Sequence, residues 1–535
     1  MTSRVAEFGT RIVIVMNLPM RRTSNFRSHS RLHQRGQALV YGIFFMIASL
    51  TSMFFLFNTG QLTSEKTKLV NTADAVAYSA AVMHARALNF DAYNNRALVA
   101  NEVLVAQMVS LSSWGQYISG FASNINGVFP ECATLYGAMA DVVFKFDALY
   151  AAACFAATYH SEIVPEIADK FPGAMQAVVS AVEANKNAIR AAESVLHAPQ
   201  AFNAARTSVM NDVAARNYSN DGTVSVEPGI APTLAAASMT DDWQNFTAKY
   251  AGDDRTRFAE VARIAAYSDN FVRQRGWDSR ALSPVINYPC GVSPHFNSVK
   301  RRGGTELIGL DEWKAEDTQS SWTWRSVSVD FFGAVRECRE FEIPVTTGVQ
   351  QAYPAGNQQD ESGAALGGSP STNPQASNNG SSNAWTTYSG LPSFYDLSSA
   401  RLNATNQDPR LQFTVRVIRN QQSARTSGAA SQILPSARLN NFNNNFAGGV
   451  MSAMATGEAY FERPLTNSAS PDQGAWNQYA EKNGSTNRRE LASLFNPFWQ
   501  ARLVPTAASN VSGQQAGQGA LLPPLLPSSP IAGGS

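Results

Sequence analysis

The chain has 535 residues, with 42 Lys and Arg against 41 Asp and Glu for a net charge of +1, and a pI near 7.7. That balance excludes a nucleic-acid binder working through a basic surface. Hydrophobic residues at 44% suffice for the cores of two or three domains, while 16% charged residues fall below the roughly 25% of ordinary soluble domains.

Residues 1–35 form a basic leader, with Arg4, Arg11, Arg21, Arg22, Arg27, Arg31 and Arg35 opposed only by Glu7. Met16 and Met20 are alternative start sites, and Met20-Arg21-Arg22 would give a compact leader. No charge occurs between Arg35 and Glu65, and most of that interval is the apolar run Ala38 to Phe57. As a helix the run is about 30 Å long, the thickness of the hydrocarbon layer. Residues 36–58 are therefore predicted to cross a membrane. Basic residues near a span stay in the cytoplasm, which predicts a cytoplasmic N-terminus and, in a bacterium, a periplasmic body from about Leu62. A secretory signal peptide is the rival, but its apolar core runs ~7–15 residues before a small-x-small cleavage site. Phe55-Leu56-Phe57-Asn58-Thr59-Gly60 offers no such site.

Beyond the span, Thr63 to Ala87 contains neither Gly nor Pro. Leu69, Ala73, Val76, Ala77 and Ala80 make one narrow stripe at helical spacing, and because it is mostly alanine, whatever packs on it must approach closely. Helical patterns continue through Asn89–Val109, Ala133–Thr158 and Glu166–Ala215, the last broken at Gly173 and Pro199, and again over Trp243–Arg275. Residues 59–275 are thus predicted to be an Ala-rich helical region. From 276 to 353 the pattern turns to strands, clearest where Ser321–Val349 alternates aromatic or β-branched residues with polar ones. Residues 354–388, rich in Gly, Ser, Asn and Gln, read as a low-complexity linker. Residues 389–504 are predicted to be α+β, with strands at Leu411–Ile418 and Glu458–Phe461, and 505–535 to be a disordered tail. The fold class is α+β: a transmembrane helix continuing into an amphipathic one, a helical periplasmic bundle, and a smaller strand-containing C-terminal part.

Cys132, Cys154, Cys290 and Cys338 all follow the span, in a compartment where disulfides persist. Three full pairings are possible; Cys132–Cys154 and Cys290–Cys338 are favoured because each joins residues of one predicted unit, with buried free thiols as the alternative. The six histidines show no metal-ligand spacing. Neither a phosphate loop nor a Gly-x-Ser-x-Gly elbow occurs, and Ser268-Asp269-Asn270 lacks the other elements of a penicillin-interacting site. Asp396-Leu397-Ser398-Ser399-Ala400 approaches the Asp-x-Ser-x-Ser of Mg²⁺-binding adhesion domains but ends in Ala400. Lys300-Arg301-Arg302 reads as a solvated turn. No catalytic residue, cofactor, metal or small-molecule substrate is predicted.

Arg35-Gly36-Gln37-Ala38-Leu39-Val40 opening the apolar helix, and Lys68-Leu69-Val70-Asn71-Thr72-Ala73-Asp74-Ala75-Val76-Ala77 closing it, resemble the N-terminal segment of TadE/TadG-like proteins of tight-adherence (Flp) pilus systems. Tyr93-Asn94-Asn95-Arg96-Ala97, Ala459 to Pro464, and Ser493 to Arg502 resemble the larger members. In pilin-like relatives a peptidase cuts after the glycine, which implies Gly36 and Gln37 as a processing site, and a Glu five residues on assists assembly. That position is Tyr41 here. The resemblance therefore implies an inner-membrane-anchored accessory or assembly component whose partners are membrane lipid and other pilus-assembly proteins. A minor pilin or pseudopilin cut after Gly36 is the alternative within that system, and a membrane-tethered envelope hydrolase or binding protein is the alternative outside it. Phe495-Asn496-Pro497-Phe498-Trp499 is either a docking edge or an aromatic plug for the protein's own core, the second being the commoner fate of large aromatics.

Overall fold

The computed structural model describes residues 37–128, 166, 170–228, 243–279, 298–329, 335–358, 372–402, 409–420, 423, 450–462 and 492–512. Its helices are α1 (Gln37–Val128), α2 (Phe171–Leu196), α3 (Pro199–Asn217) and α4 (Thr256–Ala266), with shorter turns between. The strands are β1 (Val224–Pro228), β2 (Thr247–Tyr250), β3 (Trp277–Ser279), β4 (Ser298–Ile308), β5 (Glu312–Val329), β6 (Val335–Ala352), β7 (Ser382–Trp385), β8 (Phe394–Leu397), β9 (Leu411–Asn420), β10 (Val450–Phe461) and β11 (Trp499–Val504). The fold is α+β: a long N-terminal helix apolar at its start, helices packed on it, and open sheets.

The helix α1 is 92 residues long, about 138 Å at 1.5 Å per residue. The stretches Thr63–Ala87 and Asn89–Val109 are parts of this one unbroken rod, because no Gly–Pro or paired-Gly breaker interrupts its hydrogen-bond ladder. Its exposed apolar start is followed by a length that is buried by one layer after another. First comes the antiparallel sheet β1-β9-β10-β11. Leu69, Ala73, Val76, Ala77 and Ala80, all fully buried, pack there against Val415, Val417, Ala453 and Ala455 of the sheet and Met210 and Ala214 of α3. The alanine stripe does bring the backbones close: a Cβ on Gly457 of β10 would lie 2.3 Å from the carbonyl oxygen of Ala77. The far end of α1 meets the second sheet, β3-β4-β5-β6-β7, through an equally tight notch. There a Cβ on Gly348 would lie 2.2 Å from the Ser113 carbonyl oxygen. Between the two sheets the ribbon β2-β8 and α4 cover Leu98 and Val99 with Phe258, Ala262 and Phe394.

Three predicted boundaries need correction. The region 59–275 is not wholly helical, since β1 pairs with β9 and β2 with β8; each borrows its partner from the C-terminal third of the chain, a contact that local periodicity cannot reveal. The predicted helix Trp243–Arg275 is broken by β2 and by Gly252, whose φ of +60° is the left-handed conformation that ends a right-handed helix. The predicted linker 354–388 carries a helical turn, Pro374–Asn378, and β7. Trp385 and Tyr388 are buried from that stretch in the core around Trp313, and the Asn373 side chain bonds the carbonyls of Lys300 and Thr318 at 2.8 and 3.3 Å. Two aromatics and one buried amide order a segment whose average composition is that of a coil. The predicted helix Ala133–Thr158 and most of the predicted tail lie outside the described residues.

Candidate interaction site

The first functional feature is the start of α1. Its most apolar stretch has no residue buried inside the protein, and Leu39, Phe44, Phe45, Ile47, Leu50, Met53 and Leu56 all point outward. A bare apolar cylinder of this length is what a bilayer would cover. Two polar side chains on and just beyond it are satisfied within the helix: the Thr51 hydroxyl donates to the Ile47 carbonyl at 2.8 Å and the Asn58 amide to the Phe54 carbonyl at 2.9 Å. Internal satisfaction is required where no water is present.

Where α1 leaves this stretch it is fastened by charge. Glu65 faces Arg419 of β9 at 3.4 Å, the Lys68 ammonium pairs with Asp221, and the Lys66 ammonium donates to the Ser452 carbonyl of β10. Burial lowers the Lys66 pKa.

Three turns further on, the outer face of α1 and the corner between α2 and α3 enclose an open groove of about 770 Å³. Tyr78, Val82 and Phe90 of α1 face Val195 of α2 and Phe202 and Val209 of α3 across it, with Arg86 as its one charge. Tyr78, Phe90 and Val195 are each at least 40% exposed, so this is a large accessible apolar surface.

Beneath the groove lie buried polar groups. His84 bonds the Arg206 guanidinium at 3.1 Å and lies 5.8 Å from the Trp243 ring; burial first and the Arg206 charge second push its pKa down to about 3. His197, at the end of α2, bonds Asp91 of α1 at 2.9 Å through Nε2 and approaches Thr247 Oγ1 at 3.5 Å through Nδ1. This hydroxyl–imidazole–carboxylate order invites comparison with a nucleophile triad. The ring, however, is stacked 3.7 Å from Tyr395 on one side and 5.5 Å from Trp243 on the other, and Thr247 is buried, so nothing is left for a substrate to reach. Burial raises the Asp91 pKa, and burial with the nearby Asp91 charge raises that of Glu193 to about 8. The chemistry available is proton storage and the joining of α1, α2 and β8.

Further along, Glu102 of α1 takes the Lys186 ammonium at 2.7 Å, the Tyr388 hydroxyl at 2.7 Å and the Trp313 indole at 3.0 Å. Lys186 also holds Glu183 and the Gly390 carbonyl, each at 2.8 Å. Burial, followed by the Glu102 charge, raises the Tyr388 pKa far above its usual value.

Asn89, Asn95 and Arg96 of α1 are docked on the segment Leu494–Trp499 from the other end of the chain. Asn89 of α1 donates to the Trp499 carbonyl at 2.8 Å and accepts from the Trp499 N–H at 3.0 Å, which occupies the outer edge of β11 at that residue. Asn95 donates to the carbonyls of Tyr395 and Leu494, both at 2.7 Å, and Arg96 bonds the Phe495 carbonyl at 2.7 Å. Leu494, Phe495 and Trp499 are buried. The aromatic ending is therefore a plug for the protein's own core and not a docking edge. A helix carrying Asn-Asn-Arg with no local use for those amides is the signal that marks this clamp in the sequence.

Of the residues singled out from the sequence, Gln37 begins α1, while Gly36, Cys132, Cys154 and Cys290 lie outside the described residues. Cys338, on β6, is disulfide-bonded. Asp396 is no metal ligand: its carboxylate is taken by Arg257 at 2.6 Å and by the N–H groups of Leu397 and Leu494 at 2.8 and 3.0 Å. Among the described residues no three His, Cys, Asp or Glu side chains are grouped to hold a metal ion. Lys300 and Arg301 are not a solvated turn but part of strand β4, where Lys300 pairs with Glu340 at 3.0 Å and Arg301 with buried Asp317 at 3.1 Å.

Residues 36–83 match the Tad family model, described as Flp pilus-assembly TadE/G-like. The match covers about 9% of the chain, running along α1 from the outward-facing apolar stretch to the α1 wall of the groove. This is a likeness of one segment. No curated protein and no solved structure matches the chain.

Proposed function

We propose that the protein is a membrane-anchored accessory component of a tight-adherence pilus apparatus, with its N-terminus in the cytoplasm and its body in the periplasm, and that it acts through protein contacts and not by catalysis. The observation that carries this reading is the continuity of the family-like segment with the spine of the fold. The helix that carries the pilus-like residues and the bare apolar stretch also organises both sheets, so the body is rigidly coupled to the anchor. The buried carboxylates and histidines are spent on holding elements to that spine. Absence of a carboxylate at Tyr41 favours an anchor over a fibre subunit, since the residue expected to pair with a neighbour's new amino group in lipid is missing.

The test is deletion of the gene and complementation in a strain that makes the pili. The full chain should restore piliation and co-purify with the pilus ATPase or secretin of the same system after crosslinking. Unchanged piliation in the deletion strain would refute the assignment. N-terminal sequencing of the mature protein addresses processing: Gln37 as the first residue would replace the uncut anchor by the pseudopilin alternative. Alkaline phosphatase fused after residue 512 should be active, which tests the orientation.

A further inference from the structure

The shape and charge of the apolar groove restrict what can lie in it. On α1 its lining recurs every four residues, at Tyr78, Val82, Arg86 and Phe90, a row along one helix face that rises about 18 Å. The facing wall on α3 keeps the same spacing with Ala201, Ala205 and Val209. Both of those alanines are exposed and small enough to let a third backbone approach closely.

Both walls are helices, whose main-chain N–H and C=O groups are already bonded to one another. The Ser79 hydroxyl in the lining is taken as well, donating to the Ala75 carbonyl at 2.8 Å. An extended peptide laid in the groove would press its inner main-chain groups against an apolar surface that offers them no partner. A helix bonds its own main chain and presents only side chains.

Arg86 adds a requirement of charge. It is exposed, is the one charged residue of the lining, and makes no hydrogen bond or ion pair among the described residues. An apolar occupant that covered it would strip water from an unpaired guanidinium, which is costly unless the occupant brings a carboxylate.

Position argues against two other occupants. The uncharged interval, residues 36–64, is roughly 43 Å long as a helix, about the 40–45 Å of a bilayer with its headgroup layers. Tyr78 stands about 20 Å further out along α1, beyond the acyl chains of a bilayer that α1 crosses. Two copies standing in one membrane and related by a two-fold axis along its normal would set Arg86 against Arg86.

We propose that the groove receives an amphipathic helix of another protein, a little over three turns long, with its apolar stripe along Val82 and Ala205 and a carboxylate on Arg86. The inference rests on the reading that the protein acts through protein contacts, and does not depend on which apparatus supplies the partner.

The probe is a synthetic amphipathic helix of about 15 residues with one apolar stripe of leucines and a single glutamate at its border; a twin peptide carries lysine in place of the glutamate. Fluorescence anisotropy measures the binding of each to the full chain in nanodiscs, with empty discs as the baseline. The glutamate peptide should bind at least about tenfold more tightly than its twin, because the twin sets a like charge against Arg86. Arg86→Glu should reverse that order. Val82→Asp, which charges the groove, and Ala205→Trp, which fills it, should abolish binding, while Tyr93→Ala beyond the groove should leave it unchanged. Thermal melts establish that each variant is folded; if Val82→Asp is not, Ala205→Trp decides. No binding above the empty discs, equal binding of the two peptides, or binding that survives the folded groove variants overturns the inference. So does displacement by oleate as effective as by unlabelled peptide, which would make the groove a lipid site. Binding seen only after residues 513–535 are removed would make the chain's own tail the occupant, and a dimer in sedimentation that Val82→Asp dissociates would make it a second copy. Failure of these measurements removes the groove as a contact surface, whereas unchanged piliation in the deletion strain removes the pilus reading and leaves the groove result standing.

Discussion

Replacing Asn95 by leucine probes the clamp between α1 and the C-terminal segment. Asn95 is fully buried, and its amide donates to two main-chain carbonyls from different parts of the chain, Tyr395 and Leu494, at 2.7 Å each. Leucine fills a similar volume but leaves both oxygens without that donor. An unsatisfied buried acceptor costs about 1–3 kcal/mol, less where the carbonyl keeps a second partner. The pair therefore predicts a loss of about 2–4 kcal/mol. The measurement is urea unfolding of the full chain in a mild detergent, followed by tryptophan fluorescence, since Trp243 and Trp499 share the core beside the clamp. Tyr93→Ala, two residues away and 63% exposed, serves as the control and should change stability by less than about 0.5 kcal/mol. If Asn95→Leu unfolds within about 0.5 kcal/mol of the wild type, the amide is not holding the two ends together and the reasoning fails.

Gly457→Ala should destabilise by about 1–3 kcal/mol, through overpacking against the Ala77 carbonyl and the Ala81 methyl, whereas Gly60→Ala, with nothing within reach, should not; paired urea titrations check the contrast. Lys186→Met should cost about 3–5 kcal/mol because Glu102 and Glu183 lose their buried cation, as read from urea titrations of the variant beside the wild type. Glu193 gives a pH dependence of defined sign. Its pKa rises from 4.5 to about 8 on folding, so between those values the folded protein keeps a proton that the unfolded chain has released. The Glu193 contribution to stability should fall as pH rises through that window and level off above it, against the opposite slope that His84, buried and neutral, adds below its ordinary pKa, so the difference between wild type and Glu193→Gln isolates it; coincident profiles would contradict the burial argument.

Much of α1 was legible in the sequence because its signals are local. The charge-free run, the Leu69–Ala80 stripe and the absence of breakers each describe one helix face or one length, and all of them appear in the rod as built. The strands at 321–349 and 411–418 were legible for the same reason, since alternation is a property of consecutive residues. What failed was nonlocal. β1 and β2 exist only because β9 and β8 pair with them, and Trp385 and Tyr388 order a segment whose composition reads as coil because the core around Trp313 is there to receive them.

The same division holds for the site. By itself the sequence determined that the chain has one apolar segment able to span a bilayer, that the residues leading out of it resemble a pilus-assembly family, and that no familiar catalytic or metal motif is spelled out. Only the tertiary structure decided that the Asn-Asn-Arg motif and the Phe-Asn-Pro-Phe-Trp ending are two halves of one clamp. It also decided that His197 is walled in by aromatic rings and that an apolar groove opens between α1 and the corner of α2 and α3. The physical reason is that hydrophobic periodicity assigns a residue to a face, whereas a buried amide, an imidazole or a glycine acquires its role from a partner some hundreds of residues away, which only the packed chain brings into contact.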